Sequence, residues 1–200
     1  MKITWIGQAG LLFENNSVKI MIDPYLSDSV KMINPKNYRR VEVNKDLFKI
    51  KPDIMIFTHN HLDHYDPETV SKFINDSTNI TVLSPISVWN EVRKIGGDNN
   101  YVMFNRCTTW TEHGIKFTAV KADHSDLSAI GVIIDDGDKK YYVTGDTLYS
   151  SKILGDLPNE IEVVFLPVNG VGNNMNITDA LRFAKDCGAK KNCSNTFWYV

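Results

Sequence analysis

A short histidine-rich segment constrains this chain more than any other stretch. Residues 58–64 have the sequence THNHLDH. The preceding residues 54–57, IMIF, are apolar and β-rich and predict a buried strand that ends at Thr58. Asp66 followed by Pro67 is typical of a helix N-cap and first helical position. The histidines are therefore predicted on a tight loop between a strand and a helix, where functional side chains often lie.

Four potential metal ligands fall within this loop: His59, His61, Asp63 and His64. They include three of the five histidines in the chain. Imidazole suits zinc, iron or manganese, and a carboxylate shifts the preference toward harder ions, so a mixed set can hold more than one metal. We expect His59 and His61 to converge on one ion, and Asp63 and His64 to face a second. The alternative is a polar surface loop with no ligand role.

The overall composition is that of an ordinary globular protein. With 200 residues, of which 42% are hydrophobic and 23% charged, the chain suits a single domain, 1–200, or one fold built of two similar halves. A net charge of −2 argues against a general nucleic-acid binder. No apolar run approaches the ~18 residues of a membrane span, and the start predicts a strand rather than a signal peptide. Three widely spaced cysteines form no disulfide framework, so the expected location is cytoplasmic.

The remaining patterns predict two β-rich halves. In the first half, strands are predicted at 2–7, 10–14, 18–22, 80–83 and 101–104, and helices at 67–75 and 86–95. In the second half, which begins near Thr108, strands are predicted at 115–121, 129–135, 139–144 and 163–166, and a helix at 178–187. His113 is expected at an exposed hairpin tip. Helices that alternate with strands predict a layered α/β fold.

These features resemble those of a known family. The histidine segment resembles the H-x-H-x-D-H signature of metallo-β-lactamase-fold hydrolases, and three strands followed by Asp23-Pro24 resemble the family's usual start. The resemblance covers nearly the whole chain to Lys191 and implies a four-layer αββα sandwich. It is closest to the subgroup similar to L-ascorbate 6-phosphate lactonase, through residues 23–26, DPYL, and through later matches at Asn169-Gly170, Met175 and Asp179. Gln8 departs from the pattern, since many relatives carry histidine there.

The resemblance adds two ligands from the second half, His124 and Asp146. It implies that one ion is held by His59, His61 and His124, and the other by Asp63, His64 and a bridging Asp146. The implied cofactors are two divalent ions, with zinc or manganese favoured and iron open. From the residues alone, a lone histidine such as His124 is more often structural than a ligand, and it is the resemblance that favours ligation. The alternative for Asp146 is an ordinary turn aspartate, but Gly145 allows the sharp turn that would aim its carboxylate into a site.

The implied activity is hydrolysis of a small ester, lactone or phosphorylated sugar derivative by a metal-bound hydroxide. Asp63 would orient the hydroxide and pass its proton to the leaving group. Asp23 either supports the site from behind the ligands or only ends a strand. The pair Arg39-Arg40 is either a solvated face or a contact for an anionic substrate. The expected partner is a small molecule; no nucleic acid or membrane is expected, and a homo-oligomer stays open.

The end of the chain departs from the family. Relatives complete the second metal with a histidine in P-x-H-[FY]-G on a strand after the last helix, whereas residues 192–200, NCSNTFWYV, contain no histidine and a poor strand pattern. In one permitted coding, deleting a single A from the lysine codons gives KKIVPIHFGM, with histidine where Thr196 stands. We therefore predict a frameshift and truncation after Lys191, an out-of-frame tail at 192–200, and an incomplete last strand and helix. The rival functions are a catalytically impaired, partly metallated truncated member and a nucleic-acid phosphodiesterase of the same fold.

Overall fold

The computed structural model describes residues 1–15 and 17–196, with side chains through residue 194. The chain divides into two compact units, Met1–Met103 and a second that begins at Phe104. This boundary lies slightly before the predicted start of the second half near Thr108. Each unit contains a six-stranded sheet in which the strands follow one another in chain order.

The first unit combines antiparallel and parallel strand pairs. Its strands are β1 (Lys2–Gly7), β2 (Gly10–Glu14), β3 (Lys19–Ile22), β4 (Ile54–Ile56), β5 (Thr81–Ser84) and β6 (Asn100–Met103). Its α-helices are α1 (Ser29–Ile33), α2 (Pro67–Phe73) and α3 (Ile86–Val92). Strands β1 to β3 pair antiparallel, and β3 to β6 pair parallel. Helices α2 and α3 provide the long connections that parallel neighbours need.

One edge of this first sheet collects the ends of three strands. Ile22, the last residue of β3, pairs with Ile56, the last residue of β4, and with Leu11 near the start of β2. Gly10 at the start of β2 pairs with Gly7 at the end of β1. The carboxyl ends of β1, β3 and β4 therefore meet at one edge. Below this edge, buried apolar side chains that include Met21, Met55, Phe57, Val70 and Phe73 form the core.

The second unit has the same mixed construction. Its strands are β7 (Thr109–Glu112), β8 (Ile115–Lys121), β9 (Ile130–Asp135), β10 (Lys140–Val143), β11 (Ile161–Pro167) and β12 (Lys191–Thr196). Its helices are α4 (Ser151–Leu154) and α5 (Ile177–Asp186). Strands β7 to β10 pair antiparallel, and β10 to β12 pair parallel. Phe183 of α5 packs into a buried cluster with Tyr142, Val164 and Leu166.

Most predicted elements are confirmed, with short shifts at their ends. The predicted helix at 86–95 is α-helical only to Val92, after which Arg93–Ile95 tighten into a 3₁₀ turn that ends at Gly96. His113 lies in the β7–β8 turn with a φ of 51°, as expected of a hairpin tip. Helices α1 and α4 were not predicted, because each is at most five residues long and too short for a periodic signal.

The poor strand pattern at the end of the chain was misleading. Lys191–Thr196 forms β12 and pairs in parallel with β11, because backbone N–H and C=O groups at a sheet edge can pair with a polar segment as well as an apolar one. Residues 197–200 of the predicted tail lie outside the described residues. Within the part of the chain that the structure describes, no helix is long and apolar enough to cross a bilayer.

Candidate metal centre

The histidine segment forms the predicted loop between β4 and α2. The backbone N–H groups of His64 and Tyr65 both donate to the carbonyl of His61, at 2.9 and 2.8 Å, and close a tight turn. Asp66 caps α2, since its carboxylate accepts from the backbone N–H groups of Glu68 and Thr69. This buried cap fixes where the helix begins and therefore fixes the far end of the loop.

Three imidazole rings gather on this loop. The ring centroids of His59 and His61 lie 4.6 Å apart, and those of His59 and His64 lie 4.0 Å apart. His59 and His64 are fully buried, and His61 is half-buried. The histidines of this loop therefore lie close together in the first unit, and their division between two ions stays a prediction.

Asp23 connects β3 to this loop. It follows the last residue of β3, is 1% exposed and adopts a φ of 45°, a left-handed conformation that aspartate tolerates better than most residues. Its Oδ1 accepts from the backbone N–H of Thr58 at 2.8 Å. Its Oδ2 accepts from the Thr58 hydroxyl at 2.5 Å and from Nδ1 of His64 at 2.8 Å. Asp23 therefore supports the histidine loop and does more than end a strand.

In neutral His59 and His64, these contacts determine which ring nitrogen carries the lone pair. The carboxylate of Asp23 can only accept, so Nδ1 of His64 carries the proton and Nε2 carries the lone pair. The Thr58 hydroxyl gives its proton to Asp23 and therefore accepts from Nδ1 of His59, 3.0 Å away. His59 then also presents a lone pair at Nε2. Such partners behind a histidine are typical of metal-binding imidazoles.

Asp63 lies beside His64 on the same loop. Its Oδ2 is 3.5 Å from Nε2 of His64, and its side chain is 16% exposed. Two ligand atoms on one tetrahedral zinc ion, at ~2.0–2.1 Å each, lie ~3.4 Å apart. The predicted pairing of Asp63 with His64 is thus compatible with a shared ion.

The second unit places His124 and Asp146 at strand ends. His124 follows β8, and its Nδ1 lies 3.1 Å from the backbone carbonyl of Asn173, so Nδ1 donates and Nε2 carries the lone pair. Asp146 follows β10 and is 6% exposed. Its Oδ2 accepts from Nδ2 of Asn174 at 2.8 Å. Both candidate ligands are therefore oriented by the loop that precedes α5.

The supporting role of Asn173 and Asn174 was not predicted from the sequence. Asn174 is buried and also accepts from the backbone N–H of Thr147 at 3.1 Å, which fixes the turn around Asp146. The only sequence signal was an asparagine pair in a polar loop, which is equally typical of an ordinary turn. Thr58 was likewise treated only as the residue that ends the strand.

The chemistry of the donors fits divalent transition ions. His59, His64 and His124 each have Nδ1 hydrogen-bonded and the lone pair at Nε2, and Asp63 and Asp146 add carboxylate oxygens. Imidazole with carboxylate suits zinc, manganese and iron. The assignment of His124 and Asp146 to the same centre as the histidines of the first unit stays a prediction.

The fold of this chain is similar to that of known proteins. Residues 2–190 match the family model of the β-lactamase superfamily domain, so the chain belongs to that superfamily. A metallo hydrolase from Ignicoccus hospitalis has a similar structure, with a TM-score of 0.76 and 21% identity over 98% of this chain and 82% of that one. The predicted α/β metallo-β-lactamase fold, here with two mixed sheets, is thereby confirmed.

Curated relatives narrow the family further. A UPF0173 metal-dependent hydrolase from Desulforamulus reducens is 30% identical over 92% of this chain and 79% of its own length. Another from Carboxydothermus hydrogenoformans is 28% identical over 91% of this chain and 78% of its own length. The chain belongs with them to the UPF0173 metal-dependent hydrolases, and its prediction as an enzyme of this class is confirmed.

Proposed function

We propose that the chain hydrolyses a small ester, lactone or phosphorylated sugar derivative with two divalent ions, zinc or manganese. The proposed ligands are His59, His61 and His124 for one ion, and Asp63, His64 and a bridging Asp146 for the other. The observation that carries this proposal is the Asp23 network, which gives both His59 and His64 the tautomer that metal binding requires. A lactone of a phosphorylated sugar fits the resemblance to L-ascorbate 6-phosphate lactonase.

The bound ions would lower the pKa of a coordinated water and so supply a nucleophile near neutral pH. The protein's own contribution is orientation and proton transfer. Asp23 and Thr58 hold two imidazoles in place, and the half-buried Asp63 accepts the proton of the attacking water and returns it to the leaving group. The carboxylate of Asp63 suits this role because it lies beside a ligand and still reaches solvent.

Two measurements test this proposal. The metal content of the purified chain should fall when His124 is changed to Ala, while the single change Asp63→Asn should retain at least one ion. With metal restored, Asp63→Asn should lower kcat for lactone or ester hydrolysis by ~10²–10⁴-fold, because proton transfer is lost. Near-normal turnover by a metal-replete Asp63→Asn protein would exclude the proton-transfer role. Salt-dependent binding of single-stranded nucleic acid, with cleavage, would instead favour the phosphodiesterase alternative.

We also propose that the reading frame changes after Lys191 and that the present chain is an impaired, partly metallated form. Among the described residues, the buried hydroxyl oxygen of Ser194 in β12 has no hydrogen-bond partner. Buried hydroxyl groups are usually hydrogen-bonded, although Ser84 in β5 and Tyr142 in β10 also lack a partner among the described residues. Thr196 pairs with Pro167 at the carboxyl end of β11, and β11 runs parallel to β10, which Asp146 follows. A histidine at position 196 would therefore stand at the strand edge that carries Asp146.

Removing one adenine from the lysine codons tests the frame. The repaired gene should encode an apolar strand with a histidine at position 196, and its product should bind more metal and hydrolyse lactones faster than the present chain. Equal metal content and equal rates would show that the frame as given is the native one.

A further inference from the structure

The turn between β1 and β2 lies at the same sheet edge as the histidine loop. The turn contains two residues with positive φ, Gly7 at 105° and Gln8 at 53°. The indole nitrogen of Trp5 donates to the carbonyl of Gln8 at 2.8 Å and holds the turn closed. A β-carbon at Gly10 would lie 3.2 Å from the carbonyl oxygen of Asp23, so the turn packs against the backbone of the residue that orients His64.

The side chain of Gln8 ends in a buried donor with no acceptor. Gln8 is 9% exposed, and its Nε2 has no hydrogen-bond partner in the part of the chain that the structure describes. Leaving an amide N–H₂ buried and unpaired is unfavourable, and native proteins rarely do so without a reason. A ligand that brings an acceptor oxygen to this turn would satisfy it.

A guanidinium lies next to the turn. A β-carbon at Gly7 would lie 2.5 Å from a terminal nitrogen of Arg39, so only glycine allows the guanidinium to approach this closely. Arg39 donates to two backbone carbonyls, those of Tyr25 and Val41. Its Cζ also lies 5.0 Å from the centre of the Tyr25 ring.

Arg39 carries its charge in a half-buried position without a carboxylate partner. Burial lowers the pKa of Arg39, and attraction to the carboxylates of Asp28 and Asp66 offsets this shift only in part. No carboxylate oxygen of the described residues lies within ion-pair distance of the guanidinium. The backbone N–H of Arg39, rather than its side chain, donates to Asp28. A half-buried arginine that has only neutral acceptors is suited to bind an anion from solution.

We propose that Arg39 and Gln8 form a subsite for an oxyanion group of the substrate, a phosphate monoester or a carboxylate. The subsite rests on the proposed function, because it places the anion at the sheet edge that carries His59 and His64. The guanidinium supplies the charge and paired N–H donors, and the Gln8 amide supplies a neutral donor. Arg40 is not part of it, since its guanidinium is exposed, stacks 4.4 Å from the Tyr38 ring and donates to the Tyr38 hydroxyl.

The first test compares two substrates that share one reactive ester or lactone, one neutral and one carrying a phosphate or carboxylate. The metal-loaded chain is compared with Arg39→Gln, Gln8→Glu and the control Arg40→Gln. Losing a hydrogen bond to a charged group is worth roughly a tenfold or greater change in affinity. Arg39→Gln and Gln8→Glu should therefore raise KM for the anionic substrate at least tenfold more than KM for the neutral one. Arg40→Gln should leave the ratio of the two KM values unchanged.

A direct binding measurement separates this subsite from the proposed function. Inorganic phosphate and acetate are titrated calorimetrically into the metal-free chain, which needs no turnover. For the anion that the unchanged chain binds more tightly, Arg39→Gln and Gln8→Glu should each weaken binding about tenfold. Arg40→Gln should leave the affinity for this anion unchanged. Equal binding by all four proteins, or no binding by the unchanged chain, would overturn the subsite even if hydrolysis is observed. If the variants weaken phosphate binding more than acetate binding, the substrate carries a phosphate. If they weaken acetate binding more, the substrate carries a carboxylate.

Discussion

The change Asp23→Asn should disrupt the hydrogen bonds that hold the histidine loop in place. Asp23 is 1% exposed, and its two carboxylate oxygens accept three hydrogen bonds, from Thr58 N, Thr58 Oγ1 and His64 Nδ1. Asparagine offers only one oxygen, so its amide nitrogen must face a donor in either orientation. If the amide nitrogen faces His64, the imidazole must move its proton from Nδ1 to Nε2, and the lone pair at the ligand position is lost. If it faces the backbone of Thr58, a buried N–H is left unsatisfied.

The effect of each orientation of the asparagine side chain has a predictable magnitude. An unsatisfied buried donor costs ~1–3 kcal/mol of stability. Loss of a partner behind a metal-binding histidine typically weakens metal binding by ~10–100-fold, which corresponds to ~1.4–2.8 kcal/mol. We expect Asp23→Asn to show a metal Kd raised by about this factor in a chelator-competition assay, together with a lower free energy of unfolding of the metal-free chain in urea.

Asp53→Asn is the matched control. Asp53 immediately precedes β4, at the opposite end of the same strand pair, where its Oδ2 accepts from the backbone N–H of Lys19 at 2.8 Å. The control should lower stability but leave the metal Kd unchanged. If Asp23→Asn binds metal as tightly as the unchanged chain, or if Asp53→Asn weakens metal binding equally, the orienting role of Asp23 is wrong.

Two further predictions concern the second unit. Arg106 donates twice to Asp156 at 2.7 Å, and this contact lowers the pKa of the Asp156 carboxyl, so the folded state binds its proton less readily than the unfolded state. The stabilisation is present above the unfolded pKa of ~3.9 and is lost as the pH falls through the lower folded pKa. In urea unfolding at pH 7, Arg106→Gln should therefore have a lower free energy of unfolding than the unchanged chain, and this difference should shrink below pH ~4. A difference that does not change with pH would contradict the prediction. Phe183 is fully buried, so Phe183→Ala should cost ~3–5 kcal/mol in unfolding free energy. The control Leu181→Ala, at a position that is 63% exposed on the same helix, should cost less than about 1 kcal/mol, and equal losses would show that α5 does not pack through Phe183.

Local patterns in the sequence determined the histidine loop and most of the strands. The apolar run before Thr58, and the aspartate and proline before α2, act through neighbours in the chain, and the structure has the loop and cap that they predict. Strands β1, β2 and β8 have the predicted bounds, because alternating or apolar runs between turn residues leave little choice of element. The family resemblance was also available from the sequence, through the spacing of His59, His61, Asp63 and His64.

Only the tertiary structure decided which side chains support the proposed ligands. Asp23 lies 35 residues from Thr58 and 41 from His64 in the sequence, and only the parallel pairing of β3 with β4 makes them neighbours. Asn174 likewise reaches Asp146 across 28 residues. A buried aspartate that accepts a hydrogen bond from a histidine cannot be distinguished in the sequence from one that merely ends a strand, because the flanking residues are similar. The difference lies in contacts that form when distant strands pair, and such contacts leave no periodic or local signal in the chain.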